Sequence, residues 1–142
     1  MPIREHPKLG SLLMCDFDQG FREPEMVKRR LVVVLSPKIE AHPGLCTVVA
    51  LSTTAPNPVM PYHCQIDIHP ELPERFQSKQ IWVKGDIVCS VGFHRLDLIR
   101  TGKDGNGGRN YYYSPLSDSN IKKIRECVLR GIGLSALTKH LQ

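Results

Sequence analysis

The sequence predicts a small, mainly β fold, a barrel or strongly coiled sheet, followed by one C-terminal helix. Short aliphatic and β-branched runs recur along the first two thirds of the chain, each bounded by Gly, Pro or polar turn residues. No helical pattern separates these runs, so a βαβ layout is excluded. The one sustained apolar period of 3.6 residues lies near the C-terminus.

Ser11–Phe17 is the first strand, and Leu31–Leu35, ending at Ser36-Pro37, is the second. Cys46–Leu51 is the third, bounded by Pro43-Gly44 and by Thr54-Ala-Pro56. Continuous apolar runs of this length with Gly or Pro at their ends predict buried strands rather than helices. His63–Ile68 alternates instead, with Cys64, Ile66 and Ile68 on one face and His63, Gln65 and Asp67 on the other. Ile81–Lys84 and Ile87–Val91 follow as two strands separated by Gly85-Asp86. The polar segment Asp18–Arg30 is a loop, because Pro24 disfavours a helix interior. Leu96–Tyr113 reads as an added hairpin with the glycine-rich tip Thr101–Asn110. That tip is no phosphate-binding loop, since Gly102-Lys103 is followed by Asp104 rather than Ser or Thr.

Ser117-Asp118-Ser119 offers capping oxygens to the terminal helix, whose apolar stripe is Ile121, Ile124, Val128, Leu129 and Ile132. Lys122, Lys123, Arg125 and Arg130 lie off the stripe, and Gly131 and Gly133 weaken or bend the helix before Leu134–Leu137 resumes it. The reading is a single domain, residues 1–142, with the barrel over about 8–113 and the helix over about 118–140.

Hydrophobic residues make up 41% of the 142 positions and charged ones 23%, a globular balance that excludes a disordered chain. No apolar run approaches the ~18 residues of a membrane span, and the first eight residues lack the apolar core of a signal peptide. A soluble, cytoplasmic chain without a membrane partner is expected. The five cysteines form no C-x-x-C pair, which predicts buried reduced thiols rather than a zinc site or a disulfide framework. The net charge of +5 arises entirely from residue 95 onward, where nine basic residues face four acidic ones. Such asymmetry fits a polyanionic partner, and equally a solvated helix face.

Polar groups gather at the strand ends. A charged loop leads to Arg29-Arg30, Ser52-Thr53-Thr54 ends the third strand, Pro61-Tyr62-His63 opens the fourth, and Lys84-Gly85-Asp86 follows. With Gly10–Asp18, Lys28–Ser36, Val48–Thr53, Met60–Ile66, Trp82–Ile87 and His94–Leu96 in this order, the chain resembles the MazF/PemK toxins of type II toxin–antitoxin systems from about Lys8 to Leu96, and more loosely through the terminal helix.

The resemblance implies an SH3-like, partly open barrel, usually a homodimer. It implies cleavage of single-stranded RNA through the neighbouring 2′-hydroxyl, leaving a cyclic phosphate and a 5′-hydroxyl, with no metal or other cofactor and under restraint by a cognate antitoxin. It places the catalytic arginine on Arg30, the strand-end hydroxyl on Ser52 (Thr53 being the near alternative), and the basic and acidic partners on Lys84 and Asp86. Arg30 would act by charge stabilisation or acid catalysis, Asp86 as base, and Ser52 and Lys84 by positioning phosphate. Arg22, Lys28, Arg29, Thr53, Thr54 and His63 are the expected RNA contacts, with Phe21 and Tyr62 as wall residues. Tyr111-Tyr-Tyr113 either stacks bases or closes the hairpin. Leu31 stands where the family has proline, and Val88-Cys89-Ser90-Val91 stands where many members carry Arg-Thr-Ile-Asp. Two rival readings use the same fold: a gyrase poison acting by protein contact through Gly131–Gln142, and an RNA binder that does not cut.

Overall fold

The computed structural model describes residues 2–76, 80–103 and 105–142; Asp104, in the glycine-rich tip, lies outside them. Among these residues, β1 (Leu12–Asp16), β2 (Arg29–Val34), β3 (Leu45–Ser52), β4 (His63–Ile66), β5 (Ile81–Gly92) and β6 (Leu96–Leu98) form one antiparallel sheet. Its order is β4-β5-β3-β2-β1-β6, with β4 and β6 as the two ends and no described ladder closing it into a barrel. β7 (Arg100–Lys103) and β8 (Arg109–Tyr111) make a separate hairpin, and α1 (Asp118–Gly131) packs on β5 and β4. The class is mainly β with a C-terminal helix.

The continuous apolar runs are explained by cores on both faces of the sheet. Leu12, Leu31, Val33, Val49, Leu51 and Val83 point to one, closed by Ile121, Ile124 and Cys127 of α1. Leu13, Cys15, Val32, Val34 and Val48 point to the other, around Phe17 and Leu96. Alternate side chains of one strand thus enter different cores, which demands apolar residues at every position.

Four boundaries differ from the expectation. Ile81–Lys84 and Ile87–Val91 are not two strands but one, β5, because β3 pairs with it on both sides of a large bulge. Val49 is opposite Val88 and Ala50 is opposite Lys84, which leaves Gly85, Asp86 and Ile87 outside the ladder. β4 ends at Ile66, although Ile68 still buries itself in the core. The hairpin is shorter than Leu96–Tyr113, since Leu96–Leu98 is claimed by β1 as β6. Tyr112 is buried and donates its hydroxyl to the Pro70 carbonyl, while Tyr113 stays largely exposed.

The terminal helix does not run to 140. Gly133, at φ +81°, lets its own N–H reach the Arg130 carbonyl (3.2 Å) and the Leu134 N–H reach Leu129 (2.7 Å). That double return closes a helix with a left-handed residue, a conformation natural to glycine. A separate 3-10 turn, Ser135–His140, follows. Ile132 therefore leaves the stripe and is 60% exposed, while Cys127 takes a core position instead. Ser117 caps the start by accepting the Asn120 N–H at 3.2 Å.

Candidate active site

Arg30 stands at the start of β2, opposite Cys15 of β1, and its Nε donates to the Val27 carbonyl at 3.1 Å. That bond ties the guanidinium stem to the loop, and no described ion pair links Arg30 to Glu23 or Glu25. Its terminal nitrogens keep their donor capacity for a phosphate. Arg29, the next residue back, points to the opposite face and bonds Asp97 at 3.0 Å.

The β5 bulge supplies the opposite wall. Lys84 pairs across the ladder with His63 of β4, and the Gly85 N–H donates to the Tyr62 carbonyl at 2.9 Å. Asp86 follows on the unpaired stretch, 38% exposed at its side chain. The bulge is held from behind by α1. A Cβ at Gly85 would lie 2.7 Å from the Cys127 Cβ and closer still to its carbonyl, and a Cβ at Gly131 would lie 2.7 Å from the Gly85 oxygen. Two glycines thus let helix and bulge touch backbone to backbone.

Arg30, His63, Lys84 and Asp86 line one open groove of about 540 Å³, closed along its sides by Glu23–Val27 and by Pro56, Asn57, Pro58, Met60 and Tyr62. His63 Nδ1 accepts the Met60 N–H at 3.0 Å, and Nε2 faces Asp86 Oδ1 at 3.7 Å. The lining carries the cations of Arg30 and Lys84 and the carboxylates of Glu23, Glu25 and Asp86. This mixed charge sets hydrogen-bond donors beside carboxylates rather than building a uniformly positive field.

The other expected residues lie elsewhere. The Ser52 hydroxyl donates to the Thr54 carbonyl and accepts the Thr54 N–H, both at 3.1 Å, so it closes a turn, and neither Ser52, Thr53 nor Thr54 is in the groove lining. Arg22 and Lys28 are exposed and outside that lining, as is Arg29. Phe21 is no wall residue: it packs edge-on against Phe17 at 5.0 Å in the second core, under the Arg95 guanidinium. The sequence reading missed Asn57 and Met60 as lining. The proline-rich run Pro56–Pro61 just before His63 was the available signal.

The chain is a small antiparallel sheet backed by a terminal helix, with a groove of mixed basic and acidic residues at its strand ends. Residues 8–129 match the model of the PemK-like, MazF-like toxins of type II toxin–antitoxin systems, and the chain belongs to that family. It is similar to an uncharacterized protein of Haemophilus influenzae, 32% identical over 96% of this chain and 98% of that one. It is also similar to YifN of Escherichia coli, 31% identical over 96% and 99%. Among solved structures it resembles MazF from Deinococcus radiodurans, with a TM-score of 0.60, 16% identity, and coverage of 89% and 96%. It also resembles a mycobacterial endoribonuclease in complex with its cognate antitoxin, with a TM-score of 0.56, 18% identity, and coverage of 91% and 97%. At these identities the two structures establish the shared fold.

Proposed function

We propose that the chain is an endoribonuclease toxin that cuts single-stranded RNA by attack of the 2′-hydroxyl on the adjacent phosphorus. The observation that carries this reading is the convergence of Arg30, Lys84 and Asp86 on one groove. The nucleophile belongs to the substrate, so the protein must supply a proton acceptor, a proton donor and charge for the phosphoryl oxygens. Asp86 is the acceptor for the 2′-hydroxyl proton. Arg30 holds the phosphoryl oxygens with its planar fork and neutralises charge as it develops. Lys84 holds the same phosphate from the β5 side and offers the proton for the leaving 5′-oxygen. No step needs a metal. Ser52, turned into its own loop, serves this site by shaping the end of β3 rather than by touching phosphate.

A cognate antitoxin as protein partner and a homodimeric state complete the reading, supported by family membership and by the mycobacterial complex of the same fold. The experiment is incubation of the purified chain with defined single-stranded RNA in excess EDTA, beside Arg30→Ala. The expected result is wild-type-only cleavage to a cyclic phosphate and a 5′-hydroxyl, with unchanged circular dichroism in the variant. Equal cleavage by Arg30→Ala overturns the assignment. One observation favours the rival reading by protein contact: Ile132, Leu134 and Leu137 expose apolar side chains beyond α1. Gyrase inhibition lost on polar substitution there, with no RNA cut, is its signature.

A further inference from the structure

His63 sits where an imidazole approaches a carboxylate in the groove, and its hydrogen bonding fixes what it can do. Nδ1 accepts the backbone N–H of Met60 at 3.0 Å, so that nitrogen carries the lone pair and the ring proton resides on Nε2. Nε2 is the atom that faces Asp86 Oδ1, at 3.7 Å. The neutral ring has no second lone pair left, and therefore cannot accept the 2′-hydroxyl proton. Its side chain is 8% exposed, packed edge-on at 4.6 Å from the Tyr62 ring, which leaves little surface for an RNA base.

Asp86, by contrast, is the more exposed partner, at 38%. It lies on the unpaired stretch of β5, where the ladder does not fix its direction. We infer that His63 is a positioning residue: its Nε2–H aims the Asp86 carboxylate into the groove, the contact shortening to a hydrogen bond when RNA is bound. This deepens the nuclease reading and rests on it. The shortening needed is about half an ångström or more, the kind of tightening that apo sites show on binding substrate. The role differs from the expected RNA contact, since His63 acts through Asp86 and not on the nucleic acid.

Two substitutions separate the ring nitrogens. His63→Gln can place an amide N–H near the Nε2 position and keep the donor for Asp86. His63→Asn can place its oxygen near Nδ1 and keep the acceptor for Met60, but loses the donor. The expected result is a kcat for Gln within about fivefold of wild type and a loss of roughly 100-fold for Asn, the scale of a misplaced catalytic group, with KM little changed in either. A larger loss for Gln than for Asn, or a change confined to KM, overturns the inference and leaves His63 as a loop anchor or RNA contact. A second measurement does not depend on cleavage: 15N NMR of the imidazole in the wild type and in Asp86→Ala. An Nε2–H tautomer whose Nε2 resonance moves in Asp86→Ala supports the pairing, even if no RNA is cut or a His63 variant fails to fold. An Nδ1–H tautomer, or a resonance indifferent to Asp86, overturns it. Absence of cleavage alongside a confirmed pairing counts against the nuclease reading alone.

Discussion

Arg29 and Arg30 open β2 on opposite faces, one in an exposed ion pair with Asp97 and one in the groove. An exposed pair of this kind contributes about 0–1 kcal/mol, so Arg29→Ala should leave both folding and RNA cleavage nearly intact. On the proposed reading Arg30→Ala takes the fork out of the groove and should lower kcat by about 100-fold or more, measured on a defined oligonucleotide. The pair was visible in the sequence, but its division of labour was not, because Asp97 is 68 residues away from Arg29. Ser52 illustrates the opposite case. Its place at a strand end suggested phosphate contact, while two bonds to Thr54 give it a turn role that no spacing reveals.

The cysteines carry a prediction at the same scale. Burial pushes the Cys15 thiol from its ordinary 9.0 up to about 12, and the Cys46 thiol up to about 11. A thiol whose folded value is raised stabilises the fold fully below pH 9.0 and loses that contribution as pH climbs through the folded value. The melting temperature should therefore fall between pH 9 and about 12, and Cys15→Ala should flatten that fall. Cys64 is held lower by a hydrogen bond with the Cys127 thiol, and should be the first of the five to react with iodoacetamide, as read by peptide mass spectrometry.

At the scale of elements, the central device is the contact between α1 and the β5 bulge. Gly85→Ala forces a methyl into the Cys127 backbone, where no flexible side chain can yield. The expected cost is about 1–3 kcal/mol in urea unfolding, together with loss of activity as Lys84 and Asp86 shift. Gly131→Ala presses on the Gly85 carbonyl from the helix side and should cost activity through the same displacement. Ser117→Ala removes a cap at the far end of α1 and should cost about 1 kcal/mol with kcat unchanged. Strand existence was legible from the apolar runs. The bulge was not, because Gly85-Asp86 inside a β pattern reads as a turn, and only the pairing of Ala50 with Lys84 shows that the strand continues. The helix end was half legible: both glycines were seen, but which of them adopts the left-handed conformation is decided by packing.

At the scale of the whole molecule, the net charge of +5 is concentrated in the last third of the sequence, whereas the groove itself is charge-mixed. RNA binding should therefore weaken with salt through a small number of phosphate contacts. Lys84→Ala should reduce the slope of log K against log salt by about 0.7, measured by fluorescence anisotropy on single-stranded RNA. The family resemblance covered the ordered series of strand ends, and the family model over residues 8–129 agrees with it. What the series could not show was which polar ends share a groove, since that depends on the curl of the sheet and on the loops Glu23–Val27 and Pro56–Met60 folding over it.

The central claim is that the substrate's own 2′-hydroxyl is the nucleophile. It is tested most directly with an RNA oligonucleotide whose cut site has been mapped, resynthesised with a single 2′-deoxyribose on the 5′ side of that bond. The account predicts that cleavage at that bond disappears while binding persists. Continued cleavage at the deoxy position would show that another nucleophile attacks the phosphorus, and would contradict the roles assigned to Asp86, Arg30 and Lys84.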